Sequence, residues 1–343
     1  MSRKINVLQV GLGFIGGRYK EILDDRIDKY SIKRLESAET PLVDTPSNEL
    51  ITLSQLPKKI HALVVFAYSD KRKENFEILE NVFSLATKLS VESIVYIGTT
   101  AIFEIKNGLT NELSSHLTYR EFYADTKLKI RNVLKKKILL FDGSVIVLHP
   151  TIVFGPGGNW SRTVRDSVKC GTVLLPKGGS GLCNPIHVDD VCQAVDLAVM
   201  RPPGLKFSEY IISSGITVPW RKIYEWAQCL EIGGDVKIGR ISNCDHAHLF
   251  NSRWIKNVVY HFLYSRLGAF LGRIIKRATY KKTISPKKGL VQEYQSSNVY
   301  EPTGVYRLLH MKKQIFSIEL AKDELNFNPK FSSEDGIMES LRD

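Results

Sequence analysis

The chain has 343 residues, of which 43% are hydrophobic and 24% charged, and this ordinary globular composition excludes a wholly disordered protein. Its formal net charge of +12 invites a nucleic-acid function. However, ten Lys or Arg and no Asp or Glu fall at residues 251–290, and the rest carries 38 of the 48 basic residues against all 36 acidic ones. The charge belongs to one local segment, so we expect no nucleic-acid partner.

The chain shows no sign of export or of a membrane span. Its first apolar run is too short for a secretion signal, and no stretch reaches about 18 uninterrupted apolar residues. We therefore expect a cytoplasmic protein. The five cysteines are odd in number, widely spaced and without a Cys-x-x-Cys pair, so we expect reduced thiols and no metal site.

Apolar runs alternate with helix-like segments through the first half of the chain. The run Ile5–Val10 ends at glycines and precedes a helix that is predicted to continue to about Lys29. Further strands are predicted at residues 60–67, 93–97 and 144–148, and helices at 75–89 and 119–136. Continuous apolar strands between helices are typical of an α/β fold with a doubly wound parallel Rossmann sheet.

The character of the sequence changes after Pro150. Gly- and Pro-rich loops, such as residues 155–158 and 176–181, separate short elements there. Loops beyond the carboxyl ends of parallel strands are where such sheets hold ligands. We therefore divide the chain into a Rossmann domain at residues 1–155 and a smaller, loop-rich C-terminal region at residues 156–343, which we expect to bind the substrate.

Residues 11–16 form a Gly-x-Gly-x-x-Gly motif between the first predicted strand and helix, a context that makes this pattern informative. Gly11 would make the tight turn, and Gly13 would let the backbone approach a pyrophosphate. Gly16 would allow the helix to pack close to the sheet, with its N-terminus facing the anion. The motif predicts a dinucleotide cofactor, NAD or NADP.

The residues after the first predicted helix leave the choice of cofactor open. Glu36 lies about 20 residues beyond the glycines, where an acid would bind the ribose of NAD. Lys33 and Arg34 stand beside it and would equally suit the 2′-phosphate of NADP.

Tyr123 and Lys127 are four residues apart in a predicted helix, so both side chains face the same way. A cation there would favour the phenolate and bring the phenol, whose unperturbed pKa is about 10, nearer to the working pH of a general base. Upstream, the predicted strand at residues 93–97 ends at Thr99 and Thr100. A hydroxyl at the carboxyl end of a parallel strand would reach a substrate in the crevice.

These motifs, in this order, resemble the NAD-dependent epimerase/dehydratase family, the extended short-chain dehydrogenases. The resemblance covers residues 5–230 and about 314–341, and several motifs in the right order are more specific than any one. The matching segments are the glycine motif, residues 96–103, Tyr123 with Lys127, and residues 148–158, 184–191 and 325–330.

The resemblance implies a catalytic set of Thr99, Tyr123 and Lys127. Tyr123 would take the proton of a sugar hydroxyl while hydride passes to the nicotinamide, and Lys127 would also hold the nicotinamide ribose. It further implies a nucleotide-sugar substrate, and we expect a homodimer. The cofactor-binding residues that we expect are Gly11, Gly13, Phe14, Ile15, Gly16, Arg34, Glu36, Ala67, Lys127 and Pro150.

The sequence departs from the family pattern in the substrate half. His149 stands where an Arg is usual, Ile152 where an Asn often contacts substrate, and Cys183 where many epimerases place an Arg on the diphosphate. No Asp-Glu pair follows Thr99, which disfavours 4,6-dehydration. We expect a nucleotide-sugar epimerase. The alternatives are a keto-sugar reductase or dehydrogenase and a non-catalytic cofactor-binding protein.

The basic segment at residues 251–290 contains apolar pairs that recur about every four positions from 254 to 278. This pattern predicts a basic amphipathic helix or helix pair that docks on an anionic surface at the inner membrane face. Because the spacing exceeds the helical repeat and Gly268 and Gly272 interrupt it, packing against the substrate-binding region or a second subunit is an equal alternative.

Overall fold

The computed structural model describes residues 4–32, 43–117, 121–202, 204–230, 237–241 and 299–342. Two of the sequence-based expectations concern residues outside these ranges. Lys33, Arg34 and Glu36, on which the choice between NAD and NADP depends, lie outside the described residues, and so does the basic segment at residues 251–290. Both expectations stay predictions.

Seventeen strands are present in the described parts of the chain. In chain order they are β1 (Ile5–Val10), β2 (Ile27–Ile32), β3 (Val43–Asp44), β4 (Leu50–Ile51), β5 (Ala62–Val65), β6 (Ser93–Ile97), β7 (Gly108–Thr110), β8 (Ser144–Pro150), β9 (Ile152–Phe154), β10 (Thr172–Pro176), β11 (Leu182–Cys183), β12 (Pro185–His187), β13 (Phe207–Ile212), β14 (Val218–Pro219), β15 (Lys237–Ile241), β16 (Val299–Tyr300) and β17 (Gln314–Phe316).

The helices alternate with these strands. The α-helices are α1 (Phe14–Glu21), α2 (Arg72–Lys88), α3 (Phe122–Lys137), α4 (Asn159–Lys169), α5 (Val188–Met200), α6 (Trp220–Leu230), α7 (Gly304–Leu309), α8 (Glu319–Leu325) and α9 (Glu334–Glu339). Short 3-10 helices lie at Leu53–Gln55, Thr100–Ile102, Ile138–Leu140 and Lys177–Gly179.

Eight strands form a central sheet in the order β13-β8-β6-β5-β1-β2-β3-β4. The six strands from β13 to β2 run parallel, and β3 and β4 are added antiparallel at one edge. The chain reverses its direction of strand addition between β1 and β5, and open α/β sheets bind ligands beside such a reversal. This mostly parallel sheet confirms the predicted α/β fold class.

Both faces of the sheet are covered, which explains why its inner strands read as continuous apolar runs. On one face, α2 and α3 close a core. The spacing of Leu79, Val82, Phe83 and Ala86 puts one apolar stripe of α2 on this core, and all four are buried. On the other face, α1, α5 and α8 pack on the sheet. The division into residues 1–155 and 156–343 stays a prediction.

A second, smaller core lies beyond the carboxyl ends of the strands. It joins α4, α6 and α9 with β10 through buried residues that include Phe154, Trp220 and Tyr224. The three-stranded sheet β15-β10-β16 borders it.

The first helix is much shorter than the sequence predicted, so the prediction of a helix to Lys29 was wrong. Helix α1 ends at Glu21 and β2 begins at Ile27. Lys29 lies in β2, and its ammonium donates to the carbonyls of Tyr19 (3.1 Å) and Ile22 (2.8 Å). It thereby satisfies carbonyl groups that the end of α1 leaves without helical partners.

Candidate active site

Thr99 and Tyr123 meet at the carboxyl end of β6. Thr99 lies two residues after the end of β6 and is the N-cap of the 3-10 helix Thr100–Ile102. Its hydroxyl accepts the amide of Ala101 at 3.2 Å. Tyr123 lies in the first turn of α3. A side-chain hydrogen bond joins the two residues.

The pKa of Tyr123 is raised above its usual value, mainly because the phenol is desolvated. The hydrogen bond from Thr99 acts in the opposite direction, and the nearby Tyr306 adds to the rise. Tyr123 as a whole is 41% exposed, but its hydroxyl group is surrounded by protein atoms. The raised pKa is opposite to the effect that we expected from a neighbouring lysine.

Lys127 contributes nothing to the pKa shift of Tyr123, and its ammonium binds other partners. The Nζ atom donates to the Tyr96 hydroxyl at 3.0 Å and to the Ile97 carbonyl at 2.8 Å. It also lies 5.0 Å from the ring centroid of Tyr68. Burial in this pocket lowers the pKa of Lys127 to about 7. Lys127 is therefore only partly protonated near neutral pH.

The glycine motif forms a tight turn between β1 and α1. Gly11 has a positive φ of 94°, and a Cβ there would lie 2.6 Å from the backbone nitrogen of Ala67. A Cβ on Gly16 would lie 2.1 Å from the Gly11 carbonyl oxygen. Gly13 differs, since a Cβ there would meet no atom within 4 Å. Two glycines are thus required by the fold, and the third borders open space.

This open space lies at the N-terminus of α1, where Gly13 is the N-cap residue and provides no side-chain cap. The first turn of α1 holds no acidic residue. Free backbone amides and the positive end of a helix dipole together favour an anion. The turn therefore fits the pyrophosphate of a dinucleotide. It is separated from Thr99 by one intervening strand, a distance of roughly 10 Å at the usual strand spacing.

The other expected cofactor residues occupy different positions around the turn. The Phe14 ring packs against Gly158, where an added Cβ would lie 2.8 Å from the ring. Ile15 packs against the core on the α5 face. Ala67 donates its amide to the Val10 carbonyl at 3.0 Å. Pro150, at the end of β8, accepts the Thr100 hydroxyl at 3.3 Å.

Sequence reasoning missed several aromatic residues that surround the Thr99–Tyr123 pair. The Tyr68 ring contacts the Tyr123 ring edge-on, with centroids 5.2 Å apart. Tyr306, from α7, approaches Tyr123 and contacts Trp160 at 5.2 Å between centroids. Neither lies in a motif, so no sequence signal marked them. They surround Tyr123 with aromatic rings on the side of Tyr68 and on the side of Tyr306.

The segment that contains His187 and two aspartates holds the fold together. His187 is the N-cap of α5 and accepts the amide of Asp189 at 3.1 Å. Asp189 forms a two-pronged ion pair with Arg18 of α1, at 2.6 and 2.9 Å. Asp190 accepts the amides of Lys330 and Phe331. Each polar group here has a structural partner.

No group of three or more His, Cys, Asp or Glu in the described part of the chain is placed to hold a metal ion. Within the same residues, no helix has the length and apolar character needed to cross a membrane.

The structure thus combines a doubly wound parallel sheet, a glycine turn after its first strand, and a helix that carries Tyr123 and Lys127 near Thr99. Residues 66–212 match the model of the NAD dependent epimerase/dehydratase family. The matched stretch contains Thr99, Tyr123 and Lys127. The family resemblance inferred from the motifs is confirmed.

Solved structures share this fold over nearly the whole chain. A dTDP-glucose 4,6-dehydratase from Bacillus anthracis in complex with NAD has a TM-score of 0.62 at 16% identity, covering 98% of this chain and 95% of that one. A UDP-glucose 4-epimerase from Thermotoga maritima with UDP-glucose has a TM-score of 0.58 at 14% identity, covering 98% and 97%. The protein RMD from Pseudomonas aeruginosa complexed with NADPH has a TM-score of 0.59 at 14% identity, covering 99% and 97%. A search of curated proteins found no match.

Proposed function

We propose that this protein is an NAD(P)-dependent nucleotide-sugar epimerase of the extended short-chain dehydrogenase type. The observation that carries the proposal is the hydrogen-bonded Thr99–Tyr123 pair, which shares the carboxyl edge of one parallel sheet with an open glycine turn. Proton transfer and anion binding are thereby available on two sides of one crevice.

Tyr123 is the proposed general base, which takes the proton of a sugar hydroxyl. Its hydroxyl is oriented by Thr99, and the same Thr99 hydroxyl would hydrogen-bond the reacting sugar oxygen once substrate is present. Because burial raises the pKa of Tyr123, the free protein holds this phenol in its neutral form. A positive charge that enters the crevice with the cofactor would shift this balance towards the phenolate.

The residues that would hold the cofactor are Gly11, Gly13 and Gly16 at the pyrophosphate and Lys127 at the nicotinamide ribose. A bound nicotinamide would accept a hydride from the sugar carbon and return it. The fit rests on the open space at Gly13 and the uncapped start of α1. Two of the similar solved structures hold NADPH and NAD, which supports the same class of cofactor here.

A nucleotide sugar is the proposed substrate. Its support is the family match together with neighbours that act on or hold dTDP-glucose and UDP-glucose. Thr100 and Ala101 follow Thr99, so no acidic pair is placed for the elimination step of a 4,6-dehydratase. Epimerisation needs only the proton and hydride transfers that the site supports.

The redox balance of the reaction tests the epimerase. We expect turnover of a UDP-, GDP- or dTDP-sugar into its isomer with no net change in nicotinamide absorbance, because an epimerase returns the hydride that it takes. Incubation with a panel of these sugars, followed by separation of the isomers and by absorbance, makes the measurement. Stoichiometric consumption of NAD(P)H with a keto-sugar would instead establish a reductase.

Replacement of Lys127 by Met is expected to weaken both cofactor affinity and turnover. The change removes the charge and keeps the length of the side chain, but it leaves the Tyr96 hydroxyl and the Ile97 carbonyl without their donor. In the unchanged protein, cofactor affinity should fall as pH rises through about 7, where Lys127 loses its proton. Calorimetric titrations between about pH 6 and 9 bracket that value.

The Met variant at Lys127 should lose this pH dependence. The same dependence in both proteins would show that another group is responsible.

Three further predictions rest on the sequence alone. They are a homodimer, a cytoplasmic location, and contact of residues 251–290 with an anionic membrane.

A further inference from the structure

We propose that His149 is a positioning residue that fixes Thr99 for its work on Tyr123 and substrate, an inference that rests on the proposed function. His149 lies near the end of β8 and is 1% exposed. Its Nδ1 atom accepts the backbone amide of Thr99 at 3.3 Å. Gly98 makes room for the ring, since a Cβ there would lie 2.5 Å from Nδ1.

The contacts of His149 determine its tautomer. An Nδ1 atom that accepts a hydrogen bond carries no proton, so the proton of the neutral ring is on Nε2. Nε2 lies 3.3 Å from the Oε1 atom of Glu209 in β13, to which it donates. Both ring nitrogens therefore have partners, and the ring is held at two points.

Glu209 in turn connects His149 to the helix that carries Tyr123. Arg131 of α3 donates from Nε and Nη2 to the two carboxylate oxygens of Glu209, each at 2.5 Å. Lys135 lies 3.1 Å from the same carboxylate. The hydrogen bonds from His149 and Arg131 lower the pKa of Glu209 to about 2 against its burial. The carboxylate thus stays ionised throughout the working pH range.

Arg131 occupies the same face of α3 as Tyr123, eight residues further along. A continuous chain of hydrogen bonds therefore runs from α3 through Arg131, Glu209 and His149 to the Thr99 amide. It ties the strand end that carries the hydroxyl to the helix that carries the phenol. An error of about 1 Å between such groups costs on the order of 10²-fold in rate.

Three replacements of His149 separate positioning from packing. His149→Phe keeps the ring and removes both hydrogen bonds. His149→Asn places an amide oxygen near the Nδ1 position, where it can accept the Thr99 amide. His149→Gln reaches the Nε2 position and keeps the contact with Glu209, but it offers Thr99 no acceptor. The measurements are kcat and KM with the active sugar, thermal stability, and the hydrogen exchange of the Thr99 amide in protein labelled with 15N-threonine.

We expect His149→Phe to lower kcat by roughly 10²-fold with little change in KM, and to speed exchange of the Thr99 amide. His149→Asn should recover most of both losses, and His149→Gln should recover neither. Wild-type kcat and amide protection in a folded His149→Phe protein would overturn the proposal. If that variant does not fold, the comparison of Asn with Gln decides, and equal behaviour of the two overturns it.

Lys135→Met is the matched control. Lys135 contacts the same carboxylate, yet its side chain is 43% exposed, and the hydrogen bonds that join Thr99, His149 and Glu209 do not involve it. It should keep kcat and the Thr99 amide protection near wild type, and a loss in both would show that the charge of Glu209 matters more than the His149 contact. If the wild-type protein converts no nucleotide sugar, the proposed function fails, and the amide exchange alone decides the role of His149.

Discussion

Replacement of Tyr123 by Phe is expected to lower turnover by at least ~10²–10⁴-fold, the usual range for loss of a general acid–base group. The variant loses only the phenol oxygen that Thr99 holds. Its ring would keep the edge-on contact with Tyr68, at 5.2 Å between centroids. Because the glycine turn lies on the other side of β5, cofactor affinity should stay nearly unchanged.

Steady-state kinetics and cofactor calorimetry on the same preparation separate these two effects. Tyr30→Phe is the control for the loss of a phenol. Tyr30 lies in β2, which two strands separate from β6 in the sheet. A Tyr123→Phe protein that keeps most of its activity would exclude Tyr123 as the base. Joint loss of cofactor binding and turnover would indicate a wider disturbance of the crevice.

Replacement of Gly13 by Val is expected to abolish binding of both NAD and NADP. The side chain would occupy the open space at the start of α1, where the pyrophosphate must approach the backbone. Gly13 has φ −72° and ψ −165°, an extended conformation that Val adopts readily. The variant should therefore fold normally and fail only in binding.

Calorimetry with NAD and with NADP measures this loss, and in the wild-type protein it also establishes which cofactor is preferred. Gly17→Ala is the matched control on the same helix, since its Cβ would make an ordinary contact of 3.7 Å with the Leu12 carbonyl. Undiminished binding of either nucleotide to Gly13→Val would place the cofactor elsewhere. Gly16 is unsuitable for this test because a Cβ there would collide with the Gly11 carbonyl.

Local patterns in the sequence determined the elements that make up the sheet and its covering helices. Strand β6 begins and ends at the predicted residues 93 and 97, and α3 begins and ends within three residues of its prediction. These elements are long or wholly apolar, so burial on both faces leaves a clear pattern. The helix after the glycine motif was predicted to continue to Lys29, but it ends at Glu21 and Lys29 lies in β2.

The sequence by itself also determined the types of residue in the site, through the glycine turn, Thr99 and the Tyr123–Lys127 spacing. Only the tertiary structure decided how those groups interact. Lys127 donates to the hydroxyl of Tyr96, 31 positions away in the chain, and the Thr99 amide donates to His149, 50 positions away. The direction of a pKa shift and the partner of a buried ammonium depend on distances between atoms that sheet order brings together. Spacing along one helix contains no information about those distances.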